Sequence, residues 1–125
     1  MEEQDNERMA ADLERARAVM TAEVLPATET FREFMLDQNR KLEVTSYLDH
    51  IEGPQIVVKI SRKDGQITAT LNAEVTEAGV RPFWEAQSTG RFKTRWTEPV
   101  SDGLDGLTHD AVVAKLTEFY LTDFS

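Results

Sequence analysis

The 125-residue chain contains no cysteine, which removes disulfides, thiolate metal sites and cysteine nucleophiles together. Histidine is scarce as well. His50 and His109 are the only two, and neither stands in an H-x-x-x-H or H-E-x-x-H spacing. No apolar run approaches the roughly 20 residues that cross a bilayer. Phosphate-cradling patterns of the G-x-x-x-x-G-K-[ST] and G-x-G-x-x-G types are missing, and no serine sits in a G-x-S-x-G elbow. The opening stretch is acidic and polar, the reverse of a secretory signal. These features predict a cytoplasmic protein without cofactor or bound metal, and they supply no catalytic motif.

Apolar residues make up 40% of the chain; with glycine added, a real core is within reach. The length is that of one domain, since domains run to roughly 100–200 residues. Residues 1–125 are therefore expected to form a single domain, frayed over the first seven residues. Acids outnumber bases by 23 to 14, a formal charge of −9. The excess is confined to the ends. Residues 1–24 hold seven acids and three bases, residues 25–95 hold ten of each, and residues 96–125 hold six acids and one base, Lys115. Such a surface disfavours nonspecific binding to nucleic acid or anionic membrane.

Met9, Leu13, Ala16 and Met20 recur at helical spacing, which predicts an amphipathic helix, with Pro26 ending it or opening the next one. A second helix follows, with Thr30 and Glu33 at capping-box spacing or Thr28 as cap. Its apolar face is Phe31, Phe34 and Met35, and Asn39 suits the position after its end. From Lys41 the period changes to two. Leu42, Val44, Ser46 and Leu48 alternate with polar partners, and Gly53-Pro54 makes a turn. Ile56, Val58 and Ile60 then alternate, Asp64-Gly65 gives a hairpin signal, and Ile67, Ala69, Leu71, Ala73 and Val75 continue. After a turn at 77–79, strands are expected over 81–88 and 91–97, joined through Thr89-Gly90. Short connections make these five strands an antiparallel meander and exclude a parallel sheet. Thr108 caps a last helix with Asp110 in its first turn, Leu107 placed to staple to Val112, and Val112, Val113, Leu116, Phe119 and Tyr120 on one side. The fold class is α+β: two N-terminal helices, a five-stranded meander, and a C-terminal helix packed on the sheet. The N-terminal helix is then the spare element, available to a second copy in a homodimer. The element order is similar to that of small cystatin-like folds and acidic secretion chaperones, a likeness of architecture that carries no function.

Residues that carry chemistry are few. His50 with Asp49 and Glu52 reads as a charged turn before it reads as a metal site, and His109 reads as helix-start decoration. Glu74 and Glu85 flank one turn and are placed to share a sheet face. The most distinctive stretch is 91–96, where Arg91, Lys93 and Arg95 alternate with Phe92, Thr94 and Trp96. The preceding strand adds Arg81, Phe83, Trp84 and Glu85. Arginine beside aromatics is the composition of binding hot spots; a cross-strand charged face over an aromatic core layer is the competing interpretation. Arg81, Trp84, Arg91, Lys93, Arg95 and Trp96 are the candidate binding residues.

Three functions remain open. One is a non-enzymatic protein-binding module, an acidic adaptor, chaperone-like protein or inhibitor that takes another protein or a second copy through its sheet or N-terminal helix. Another is a pocket protein, carrier or enzyme, with Tyr47, Trp84, Glu85 and Arg95 lining a cavity. The last is an acidic nucleic-acid mimic, which requires both acidic ends to form one face.

Overall fold

The computed structural model describes residues 2–49, 53–62, 65–76, 79–88, 95–96, 99–101 and 103–123, with side chains over 10–49, 53–61, 68–75, 80–85, 99–101 and 103–121. One unbroken helical run replaces the two expected N-terminal helices. Helix α1 (Glu2–Val19) passes through a π-helical segment (Met20–Val24) into α2 (Leu25–Asp37). Pro26 explains the π segment. Proline has no N–H to give the carbonyl four residues back and its ring crowds that carbonyl. The ladder has already slipped by one residue: the Leu25 N–H bonds Met20 O, an i to i−5 bond. The helical run thus continues through Pro26, which stands in the first turn of α2, one of the two places expected of it.

Neither threonine caps a helix. Thr28 Oγ1 donates to Leu25 O at 2.7 Å and Thr30 Oγ1 to Pro26 O at 3.2 Å, the back-bonding of hydroxyls inside a helix. The end of α2 follows expectation. Asn39 takes φ 58°, Arg40 N–H bonds Met35 O at 2.9 Å and Asn39 N–H bonds Leu36 O at 3.0 Å. This paired closure satisfies carbonyls the helix would otherwise leave open.

The sheet runs β1 (Lys41–Tyr47), β2 (Gln55–Arg62), β3 (Gly65–Thr76), β4 (Gly79–Ser88) and β5 (Arg95–Trp96), in that spatial order. All neighbours are antiparallel, so the meander is as expected, but its fifth strand has only two residues. Four long strands make the sheet. Residues 91–94 and 97 of the expected fifth strand, Thr89-Gly90, Asp64 and 77–78 lie outside the described residues; Gly65 is already the first residue of β3. Leu42, Ile56, Val58, Ile60, Ala69, Leu71, Ala73 and Trp84 are buried, and their register partners place them on one face; in β1 the alternation fades after Val44, with Ser46 exposed.

The helical run covers that face. Ala16, Met20, Val24, Ala27, Phe31 and Met35 are all buried in the same core, with α1 against β3 and β4 and α2 against β1. The N-terminal helix is therefore the main cover of the sheet, not a spare element. Ala16 and Met20, half of the stripe assigned to a homodimer, are committed inside the chain; Leu13 is half-buried and the Met9 side chain lies outside the described residues. Helix α3 (His109–Asp123) packs chiefly beside α2. It reaches the sheet through Phe119, whose ring meets Trp84 edge-on at 5.9 Å, and it meets α2 through Tyr120, edge-on to Phe34 at 5.9 Å. Thr108 caps it as expected, accepting from Ala111 N–H at 3.2 Å. Among the described residues no helix is long and apolar enough to cross a membrane.

Candidate functional site

The helices occupy one face of the sheet, and among the described residues no helix covers the other. Register sets its rows. Glu43 stands opposite Lys59, then Thr68, Gln87 and Arg95; Thr45 opposite Val57, Thr70 and Glu85; Tyr47 opposite Gln55, Asn72 and Phe83; Glu74 opposite Arg81. Tyr47 keeps 50% of its surface exposed. This face is mixed, with threonines and amides between charges and isolated rings. At one margin lies β1, an outer strand whose ladder bonds run to β2 alone among the described strands.

The sequence-predicted binding residues do not form one group. Arg81 is exposed and faces Glu74 across the β3–β4 pair, a favourable cross-strand charge pairing. Trp84 is 1% exposed and stacks in the core on Phe119, so it holds the fold and presents nothing to a partner. Arg95 and Trp96 form β5, opposite Gln87 and Ala86 respectively. Arg91 and Lys93 lie outside the described residues, as do His50 and Glu52.

The cavity expected from Tyr47, Trp84, Glu85 and Arg95 does not assemble, because Trp84 is on the covered face while Tyr47 and Glu85 are on the open one. Glu74 and Glu85 share the open face. Four residues of strand separate their rows, roughly 13 Å at the usual rise, too far for carboxylates acting as a pair.

A side-chain chain that sequence reasoning took for helix-start decoration joins three elements. His109 Nε2 lies 2.8 Å from Thr30 Oγ1, and His109 Nδ1 lies 3.0 Å from Asp110 Oδ1. The His109 backbone N–H donates to Glu23 Oε2 at 3.0 Å. Hydroxyl, imidazole and carboxylate in series is the order of a nucleophile relay. Its surroundings differ from one. Asp110 is 98% exposed, so water competes for the carboxylate that must orient the ring. The Thr30 hydroxyl has a second acceptor in Pro26 O. The network satisfies either form of the ring: neutral, it accepts from Thr30; protonated, it donates on both sides while Thr30 donates to Pro26 O. The arrangement is a clasp between α2 and α3.

At the opposite end of α2 a cleft of about 300 Å³ is lined by Arg32, Leu36, Asn39, Arg40, Lys41 and Leu42. Among the described residues three cations and no carboxylate line it, in a chain of net charge −9. Its sequence signal is partial: Arg32 and Leu36 lie one helical turn apart in α2, beside the core stripe of Phe31 and Met35, whereas Arg40 and Lys41 follow the left-handed Asn39.

Comparison with protein-family models, curated sequences and solved structures finds no match to this chain.

Proposed function

We propose that the chain is a small, acidic, cytoplasmic protein-binding module, without catalytic activity of its own, that takes a partner polypeptide on the open face and outer strand of its sheet. One observation carries this. The seven-residue strand β1 pairs on one side only among the described strands, beside an open face that presents the half-exposed Tyr47. Unpaired edges of this kind accept an added strand through main-chain hydrogen bonds. The charges of Lys41 and Glu43 on β1 discourage indiscriminate pairing, so a partner must match them. A second copy of the chain is one such partner in this reading, now through the sheet, since Ala16 and Met20 of the helix stripe are buried inside the chain.

Acidic mimicry of nucleic acid has one observation in its favour: the two acidic ends meet. Arg15 of α1 pairs with Asp105, and Glu23 accepts from His109. The Arg15–Asp105 pair neutralises part of the charge that mimicry needs, and the binding module is preferred.

Native mass spectrometry of the protein from its own cells tests the choice. A second polypeptide mass or a discrete dimer fits the module. A single chain carrying a mass of a few hundred daltons replaces it with a ligand carrier.

A further inference from the structure

The cleft at the α2–β1 corner and the edge of β1 are continuous, since Lys41 and Leu42 belong to both. We propose that this corner, lined by Arg32, Arg40 and Lys41, receives the C-terminal carboxylate of an extended polypeptide whose preceding residues add to β1 as an antiparallel strand. The inference rests on the strand-binding role proposed above and gives it a ligand chemistry.

Direction follows from geometry. Strand β1 leaves the cleft at Lys41 and runs away from it to Tyr47. A strand added antiparallel, the pairing that the rest of this sheet uses, runs toward Lys41 and ends there. Its terminal carboxylate then arrives among three cations, with no acid among the described residues of the lining. Guanidinium groups bind carboxylate through paired charge-assisted hydrogen bonds. Arg32 is ion-paired with Glu29 through Nη2 at 3.5 Å and its side chain is 40% exposed, and a guanidinium has five N–H donors, more than that one contact uses.

The cleft also has an apolar wall. Leu36 keeps 67% of its surface exposed, the largest fraction among the exposed large hydrophobic residues described, and it lies beside Leu42. An apolar side chain on the terminal residue covers that leucine. Helix-dipole compensation is the competing explanation for Arg40 and Lys41, which follow the α2 C-terminus. It leaves Arg32 and the bare Leu36 unexplained. The α2 carbonyls at that end, those of Phe34, Met35 and Leu36, already accept N–H bonds from Gln38, Asn39 and Arg40.

The test uses the full chain, immobilised, and two pools of random octapeptides ending in leucine, one with free carboxylates and one amidated. The free-acid pool is expected to be retained roughly tenfold over the amidated pool, the effect of one well-placed charge-assisted contact. Bound peptide is expected to slow amide exchange in β1. The double variant R32Q/K41Q, checked for native circular dichroism, is expected to lose the preference. Equal retention of both pools with β1 protected overturns the carboxylate site and leaves strand addition standing. Retention of acid peptides without protection of β1 overturns the proposal together with the strand reading, and so does retention of neither pool. Inorganic phosphate that shifts the resonances of Arg32, Arg40 and Lys41, while free-acid peptides do not, overturns it in favour of a small-anion site.

Discussion

Gly53 lies so close to Ala73 that a β-carbon built on it would sit 2.0 Å from the Ala73 carbonyl oxygen. The same turn gives the Pro54 carbonyl to the Ala73 N–H at 3.1 Å. Ala73 thus directs both backbone groups toward the β1–β2 connection and neither toward its β4 partner, Pro82. This is how a proline fits beside β3 inside β4: the N–H it lacks has no acceptor waiting in β3. Gly53 also has φ 136°, a conformation side chains resist. Replacing Gly53 with alanine is expected to destabilise by about 3 kcal/mol. Urea unfolding checks this; an unchanged midpoint would refute the close approach.

Asn39 holds the left-handed position that turns α2 into β1 and sets Arg40 and Lys41 beside Arg32. Asn39→Gly is expected to be neutral or slightly stabilising. Asn39→Val, with a branched β-carbon, is expected to cost about 1–2 kcal/mol. Thermal melts of the pair decide it, and equal melting temperatures would remove the conformational role.

Trp84 is a core residue with its indole Nε1 buried and without a hydrogen-bond partner. Trp84→Ala is expected to cost about 3–5 kcal/mol through the void it leaves. Trp84→Phe is expected to cost markedly less, because it also removes a donor that finds no acceptor. Partner capture by the phenylalanine variant, measured where it is fully folded, is expected to match the original. A selective loss of capture would return Trp84 to the binding surface.

Thr30 and His109 are expected to act as one clasp. A double-mutant cycle with Thr30→Ala and His109→Ala is expected to show a coupling of about 0.5–1 kcal/mol in denaturant unfolding. Hydrolysis of an activated ester is expected to be the same for Thr30→Ala as for the unaltered chain. Zero coupling refutes the clasp, and an ester hydrolysis that depends on Thr30 gives the relay a chemical role.

Local pattern made much of this fold legible. The period-two alternation from Leu42 to Trp84 marked the long strands, and Thr108 with Asp110 marked the start of α3. What sequence withheld depends on longer-range balance. Pro26 is ordinarily a stop, and only the displaced ladder at Met20–Val24 lets the helix continue. Whether that helix covers the sheet or a second copy depends on which apolar faces meet, which no single stripe determines. Trp84 was recoverable: alternation with Pro82 puts it opposite Arg81, Phe83 and Glu85, so grouping all four as one surface ignored the pleat. The cationic corner draws on Arg32 and Leu36 in one element and Lys41 and Leu42 in another, and only folding past Asn39 brings them together.

The central claim is that β1 is the edge a partner joins. Hydrogen–deuterium exchange on the complex isolated from the protein's own cells tests it most directly. The claim predicts amides of residues 43–47 that exchange more slowly in the complex than in the free chain, with the buried helix stripe unchanged. Protection confined to the helices, with β1 exchanging as in the free chain, would contradict it.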